Sequence, residues 1–193
     1  MKFYLDNAYY FITCAVREHQ ILFDAPDKKE ILLNQINKVE KNLKISVLAY
    51  GILSNHYHIL FRLLQGKNLK KAMQTINGGS SYLLNKLVGV YQKVWDNYFA
   101  MVITNEQMFY KIIGYTAGNP LKHSEVNSFE ELKLYPFSNY SHLCNIYGEE
   151  TVRALVQSTI VVNEANNFTP DFTQLKDIPT KVGNINVTKK GGD

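Results

Sequence analysis

The segment SNHYHILFR, residues 54–62, carries two histidines at positions i and i+2. Its aromatic and branched residues predict a β-strand, in which successive side chains point to opposite faces. His56, His58 and Arg62 then share one face, while Tyr57 and Ile59 belong to the apolar face. Two imidazoles at this spacing can grip one metal ion, and an arginine can bind a phosphate. The same spacing is also typical of the polar surface of a half-exposed sheet, so both interpretations stay open at this point.

A second group of reactive side chains lies in the segment FYKIIGYTAGNP, residues 109–120, which predicts a helix. At about 100° per residue, Tyr115 lies at the edge of the apolar stripe, with Lys111 and Asn119 one turn to either side. Beside the histidine strand, this edge would present a phenol nucleophile, an amide oxygen as third metal ligand and a lysine for phosphate. Gly114 and Gly118 would let another backbone approach closely. Simple packing of Tyr115 remains the alternative, because the chain has 13 tyrosines.

The elements that must position these side chains follow a βαββαβα order without an internal repeat. The Ser54-Asn55 turn predicts a hairpin between the second strand and the histidine strand, Gly78-Gly79 should interrupt the second helix, and Pro120 should end the last one. The predicted strands are 9–16, 44–52, 54–62 and 98–103, and the predicted helices are 27–42, 69–87 and 105–118. This order indicates the ferredoxin-like α+β arrangement, an antiparallel sheet with helices on one face. The other face, with the histidines, would be open and would suit single-stranded nucleic acid, although many such faces only bind a protein partner or remain solvated.

Composition sets wider bounds on the class of protein. A chain of 193 residues with 46% hydrophobic content is long enough for a single core. It has neither an 18-residue apolar run nor an apparent leader, so we expect no membrane association and a cytoplasmic location. Cys14 and Cys144 are expected to be core thiols. The net charge of +4 favours a polyanionic partner, although scattered lysines on a merely basic protein would give the same value.

Four blocks together give the chain a resemblance to a known family. They are NHYHIL at 55–60, VWDNY at 94–98, YTAGNP at 115–120 and YPFSNY at 135–140. In this order and spacing they resemble the HUH-type single-tyrosine transposases, most closely the REP-associated tyrosine transposase branch of the IS200-like superfamily. The likeness spans roughly residues 3 to 145, and the combination is much more specific than any one block.

The resemblance implies an HUH endonuclease fold and a role for each reactive residue. His56, His58 and Asn119 would hold Mg²⁺ or Mn²⁺, and Tyr115 would be the nucleophile. The expected activity is metal-dependent cleavage and strand transfer of hairpin or palindromic single-stranded DNA through a 5′-phosphotyrosyl intermediate. The alternative is a domesticated module that binds DNA hairpins without mobilising them. A third hypothesis is an RNA-binding sheet, but such a sheet would require exposed aromatic residues on its open face.

The sequence departs from the family pattern at three places: Ser54 replaces a usual proline, residues 99–101 lack an acidic or histidine residue, and residues 78–81 lack a typical lysine. These departures concern the phosphate contacts and the rate that the resemblance implies, and they leave the implied reaction class unchanged. Expected DNA-binding residues are Arg62, Lys67, Lys70, Lys71, Lys93, Lys111, Lys122, Trp95 and Tyr98, although core packing is the commoner role for the last two. We expect a catalytic domain at 1–147, a short helix and mobile polar tail at 148–193, and a monomer or homodimer that is nucleoid-associated when acting.

Overall fold

The computed structural model describes residues 4–173 and 175, and its centre is a four-stranded antiparallel sheet. The strands are β1 (Ala8–Ala15), β2 (Ser46–Ile52), β3 (His56–Leu63) and β4 (Phe99–Ile103), in the spatial order β2-β3-β1-β4. β3 is a central strand, paired with β2 through the predicted hairpin and with β1 on its other side. The register places His58 opposite Thr13 and His56 opposite Ala15.

Three helices cover the first face of the sheet: α1 (Pro26–Leu43), α2 (Asn68–Met73) and α3 (Gly79–Val88). They pack on the apolar side of β3, where Tyr57, Ile59 and Phe61 are completely buried. The predicted interruption at Gly78-Gly79 is confirmed, because one π-helical turn, Gln74–Gly78, separates α2 from α3.

The second face is covered as well, by α4 (Glu106–Lys122), α5 (Phe129–Leu134), α6 (Tyr140–Tyr147) and α7 (Glu149–Thr159). The α+β class and the antiparallel sheet are thus confirmed, but the expectation of an open histidine face is wrong. Phe11, Ala49 and Leu60 alternate with the polar residues of this face, and they form a second core with α4, α6 and α7. Burial of these apolar side chains stabilises the packing of the helices on this face. The helices therefore cover the histidines, which are almost completely inaccessible to solvent.

Asn105 caps the start of helix α4, since its side chain accepts a hydrogen bond from the backbone N–H of Met108. The helix runs to Lys122, so the prediction that Pro120 ends it is wrong. A proline in the last turn removes only one donor, and the Thr116 carbonyl that this leaves free lies against Gly51 of β2. A Cβ atom on Gly51 would come within 2.4 Å of that carbonyl oxygen. The extra turn keeps Asn119 on the helix.

The glycines of α4 allow the close approach that the sequence predicted, and the approaching element is α7. A Cβ atom added to Gly114 would lie 2.5 Å from the backbone of Leu155, and one on Gly118 would lie 2.4 Å from a methyl group of Val156. α7 lies within the stretch 148–193, where a short helix was predicted.

After α7 the chain runs back to the histidines of β3, where Phe168 stacks on His56. We call this segment, residues 160–173, the C-terminal strap. It contains the short hairpin of β5 (Asn163–Glu164) and β6 (Pro170–Asp171). The mobile tail predicted after the helix falls mostly on residues 174 and 176–193, which lie outside the described residues. Within the described ranges, no helix has the length and apolarity needed to span a membrane.

Candidate metal and nucleophile site

The two histidines of β3 are each held by a hydrogen bond at Nδ1. Nδ1 of His56 lies 2.8 Å from Oδ1 of Asn55, and Nδ1 of His58 lies 2.9 Å from Oγ1 of Thr13 on β1. Burial lowers the pKa of His56 to about 3 and that of His58 well below its usual value, with neighbouring histidines adding to the shift. Both imidazoles are therefore neutral at pH 7. If each ring donates through Nδ1, each Nε2 keeps a free lone pair, which is the state of a metal ligand.

Asn119 completes a set of donor atoms that fits a metal ion. Its Oδ1 lies 3.0 Å from Nε2 of His56, and its Nδ2 is buried with no partner among the residues described. With the His56 proton on Nδ1, a lone pair of nitrogen and a lone pair of oxygen face each other, an arrangement that a cation relieves. Imidazole and amide oxygen are common ligands of Mn²⁺ and acceptable for Mg²⁺. The residues present therefore fit a divalent ion held by His56, His58 and Asn119.

Tyr115 points its hydroxyl into the same cluster. Its oxygen lies 3.4 Å from Nε2 of His58 and donates a hydrogen bond of 2.7 Å to Oε1 of Glu164. Burial raises the pKa of Tyr115 well above its usual value, and the neighbouring Glu164 carboxylate raises it further. The phenol is accordingly protonated in this arrangement. A cation or another positive group must stabilise the phenolate form before Tyr115 can be a nucleophile.

Two residues outside the predicted set also reach the cluster. His123, at the end of α4, and Glu164, on β5, lie 3.2 Å apart between Nε2 and the carboxylate. Together with His56 they form a group whose ligand atoms lie within 4.8 Å of one another, a possible His/His/Glu metal site. Burial disfavours the charged form of Glu164, but hydrogen bonds from His123 and Tyr115 outweigh it and hold the pKa of this carboxyl below its usual range.

Aromatic side chains of the C-terminal strap close the site from outside. The Phe168 ring stacks on the His56 ring at 3.8 Å and 6°, and it also contacts the edge of His123. Phe172 packs edge-on against Tyr115 at 5.3 Å. The strap thus covers both His56, a candidate metal ligand, and Tyr115, the candidate nucleophile.

Of the residues predicted to bind DNA, two lie on α4 close to the strap. Lys111 is buried and donates to the backbone carbonyl of Leu175. Lys122 lies nearer the site, with its Nζ 3.6 Å from Oε1 of Glu164. Its ammonium also donates to the carbonyls of Ile160 and Val162.

The other predicted contacts are dispersed. Arg62 is four residues beyond His58, roughly 13 Å along the strand, where it binds the side chain of Asn7. Trp95 stacks on Phe23 and donates to Ser80, so it occupies the core role that the sequence left open. Tyr98 is half-buried beside that core. The remaining lysines are exposed, on α2 or in the loops near it or before β4, namely Lys67, Lys70, Lys71 and Lys93.

Sequence reasoning missed Thr13, His123 and Glu164. Thr13 could have been identified from the sequence, because it is the polar residue of β1 that an antiparallel register can place beside a histidine. His123 lies one turn after Asn119 on the same helix edge. It was missed because the helix was predicted to end at Pro120, before this residue. Glu164 belongs to a stretch with no motif, and only the folded chain reveals its position.

The chain belongs to the IS200-like transposase family, whose model matches residues 4–116, more than half of the sequence. This membership supports a DNA-binding, DNA-processing role and confirms the family identified from the four sequence blocks. No protein among the curated ones searched matches the chain.

Several solved structures are similar to the chain, among them the following two. A REP-associated tyrosine transposase bound to a REP hairpin superposes with a TM-score of 0.63 at 20% identity, covering 93% of this chain and 98% of the other. A candidate transposase from Deinococcus radiodurans R1 gives a TM-score of 0.43 at 14% identity, covering 60% of this chain and 92% of the other. The first of these shows that the chain has the fold of the REP-associated transposase.

Proposed function

We propose that this protein is a metal-dependent single-strand DNA endonuclease and strand transferase that acts on hairpin or palindromic DNA through a 5′-phosphotyrosyl intermediate. The observation that carries the proposal is the convergence, in one buried cluster, of Nε2 of His56, Nε2 of His58, Oδ1 of Asn119 and the hydroxyl of Tyr115. The similar structure bound to a REP hairpin supports the choice of hairpin DNA as substrate.

His56, His58 and Asn119 would hold the ion, which we take to be Mg²⁺ or Mn²⁺. When bound, the ion would polarise the scissile phosphate and favour the phenolate form of the nucleophile. Asn55 and Thr13 keep the two imidazoles oriented, so that Nε2 of each ring faces the cluster. Because the pKa values of His56 and His58 are lowered, the Nε2 lone pairs of both rings carry no proton at neutral pH.

Tyr115 would attack the phosphorus atom. The bond from its phenolic oxygen to phosphorus forms while the bond from phosphorus to the 3′ oxygen breaks, and the phenol proton ends, in net terms, on the released 3′-OH. The covalent link conserves the energy of the phosphodiester. Attack by another 3′-OH would reverse the exchange, completing strand transfer without a nucleotide cofactor.

A nicking assay tests the metal dependence. Labelled hairpins from the flanks of the gene should be cleaved by wild-type protein with Mg²⁺ or Mn²⁺ and not in a chelator. His56→Ala and His58→Ala should lose cleavage, while His142→Ala, at an exposed position on α6, should retain it. Cleavage that persists in a chelator, or in the double variant His56→Ala/His58→Ala, would contradict the metal assignment.

The second candidate is a hairpin-binding module without cleavage. One observation favours it, because the Tyr115 hydroxyl is engaged by Glu164 rather than exposed to an incoming phosphate. Tight binding of hairpins without nicking under any metal condition would make this function the better conclusion.

A further inference from the structure

The Glu125 carboxylate joins two segments of the chain that carry candidate metal ligands. Its Oε1 accepts a hydrogen bond from the backbone N–H of Ser54 at 2.8 Å and another from the Ser54 hydroxyl at 2.5 Å. Ser54 lies in the turn that leads into His56. The backbone N–H of Glu125 donates to the carbonyl of Pro120 at 2.9 Å, in the last turn of α4 and directly after Asn119. One residue therefore contacts both the turn before His56 and the end of the helix that carries Asn119.

Lys29 of α1 holds the other oxygen of this carboxylate. Its ammonium forms an ion pair with Oε2 of Glu125, and the two side chains are only 7% and 17% exposed. The rings of Tyr135 and Phe137 lie 5.5 and 5.9 Å from the ammonium and shield the pair. Burial alone would raise the pKa of Glu125, but hydrogen bonds from Lys29 and Ser54 outweigh it and hold the pKa below its usual range. Glu125 is thus a carboxylate with fixed partners on both oxygens.

We propose that Glu125, held by Lys29, is a positioning residue for the candidate metal site, because it fixes the turn before His56 against the end of α4. This inference rests on the proposed function, in which His56 and Asn119 bind the ion. It adds a residue that acts on the ion through the separation of two of its ligands. A proline in place of Ser54, which is usual in the family pattern, would supply neither donor, so the contact distinguishes this chain from that pattern.

The two ligands lie on segments that are distant in sequence, so their separation must be fixed by contacts of this kind. Nε2 of His56 and Oδ1 of Asn119 lie 3.0 Å apart across 63 positions of sequence. A metal site tolerates errors of only about 0.2 Å in its ligand distances. The His56 ring is also oriented by Asn55, whose Oδ1 lies 2.8 Å from Nδ1. Asn55 follows Ser54 directly, so a displacement of Ser54 also moves the group that orients the imidazole.

Backbone hydrogen bonds hold the same turn on its other side. Phe23 donates to the carbonyl of Ser54 at 2.9 Å, and Val16 donates to the carbonyl of Asn55 at 2.8 Å. These bonds tie the turn to the segment between β1 and α1, whereas Glu125 ties it to α4. Loss of the Glu125 contact should therefore leave the turn folded but let it move relative to α4. The expected result is a larger change in metal affinity than in stability.

Two double variants separate the contact with Ser54 from the ion pair. The amide variant, Lys29→Met/Glu125→Gln, removes both charges and keeps an oxygen to which Ser54 can donate. The thioether variant, Lys29→Met/Glu125→Met, removes the charges and that oxygen. Neither leaves one charge of the pair buried alone, so both should fold, which urea unfolding checks.

Electron paramagnetic resonance of free Mn²⁺ measures the affinity of each protein for this ion. The amide variant should bind Mn²⁺ as wild type does, and the thioether variant should bind it about tenfold more weakly, as is typical when a group that orients a metal ligand is lost. The matched control is Lys133→Met/Glu149→Met, which removes an exposed ion pair between α5 and α7 and should leave the affinity unchanged. Equal affinity in the amide and thioether variants, whether high or low, would overturn the proposal.

A measurement on metal-free protein separates a failure of this inference from a failure of the proposed function. In wild type, long-range ¹H–¹⁵N NMR should show His56 as one tautomer with its proton on Nδ1. The thioether variant should show a mixture of tautomers, and so should Ser54→Ala, a smaller change that removes one of the two hydrogen bonds to Glu125. A single unchanged tautomer in both variants would overturn the positioning role. A wild-type protein that binds no Mn²⁺ or forms no covalent adduct would contradict the proposed function, and the His56 tautomer would still decide the role of Glu125.

Discussion

The two faces of the sheet are equally buried but chemically different. On the first face, Tyr57, Ile59 and Phe61 of β3 pack against α1, α2 and α3, and the polar atoms there have simple partners, such as the Tyr57 hydroxyl on Asn77. On the second face, the alternate residues of the same strand place two neutral imidazoles beneath α4, where the Asn119 amide nitrogen has no partner among the described residues. The first face of this strand therefore supplies apolar packing, whereas the second face combines apolar packing by Leu60 with the two candidate metal ligands.

This difference follows from what each face buries. An apolar side chain gains free energy when it leaves water, whereas a polar group loses free energy unless it finds a partner. On the second face, burial of His56, His58 and Asn119 reduces the free energy of unfolding, and a bound ion would offset this loss. We therefore expect truncation of the apolar residues on the first face to reduce the free energy of unfolding, and substitution of His56, His58 or Asn119 on the second face to reduce activity.

The largest effect on stability should come from Phe61→Ala on the first face. Phe61 is completely buried, and its truncation should lower the free energy of unfolding by about 3–5 kcal/mol. The fraction that remains folded should nick DNA at the wild-type rate. His58→Ala, three residues earlier on the other face, should cost less stability and abolish nicking. Urea unfolding and a nicking assay on the same preparations make the comparison, which fails if His58→Ala is as destabilising as Phe61→Ala.

The pH dependence of stability should come from the second face. The pKa of His56 in the native state is about 3 and that of His58 is also lowered, while an unfolded histidine titrates near pH 6.5. Below pH 6.5 the unfolded state binds protons that the native state does not, so stability falls as pH falls.

Each histidine should contribute about 1.1 kcal/mol per pH unit on average between pH 6.5 and 5, above the range in which most carboxylates titrate. Urea midpoints of metal-free protein at these two pH values measure the slope, and His56→Gln should reduce it. A stability that is independent of pH in this window would mean that the histidines are not held in a neutral, buried state.

A smaller effect should come from the contact that closes the second face. Gly114→Ala places a Cβ atom 2.5 Å from the Leu155 backbone, so α7 must shift, and we expect a loss of about 1–3 kcal/mol. The matched control is Gly78→Ala behind the first face, where the added atom meets no neighbour within 4 Å and the backbone is helical. That change should stabilise the protein by about 0.4–1 kcal/mol. Thermal unfolding of the two variants, shifted in opposite directions, checks the pair.

The same comparison explains what the sequence could predict. Periodicity gave the strands, the hairpin, the break at Gly78-Gly79 and the apolar face of β3, because these depend on neighbours within a few residues. The four blocks indicated the family. The alternation of His56 and His58 with apolar residues suggested an exposed face, since the same pattern describes a strand with water on one side. The apolar residues Phe11 and Leu60 on that face were the signal that a second layer of helices covers it.

The remaining part of the site depends on contacts between distant segments. Glu164 meets Tyr115 across 49 positions of sequence, and the strap that carries it has no motif. His123 was within reach of sequence reasoning, but only with the correct end of α4. Pro120 suggested an earlier end because the cost of a proline depends on whether the lost helical bond lies in the interior or in the last turn.

The most direct test of the central claim, that the second face is a tyrosine nucleophile site, is the covalent adduct. Wild-type protein with Mn²⁺ and a labelled hairpin should give a band on denaturing gels that contains protein joined to the 5′ phosphate of the segment 3′ of the nick. Tyr115→Phe, which removes one oxygen and preserves the ring, should give no adduct and still bind the hairpin. Tyr110→Phe, a nearly buried tyrosine on the same helix, should form the adduct as wild type does. An adduct that persists in Tyr115→Phe would contradict the account.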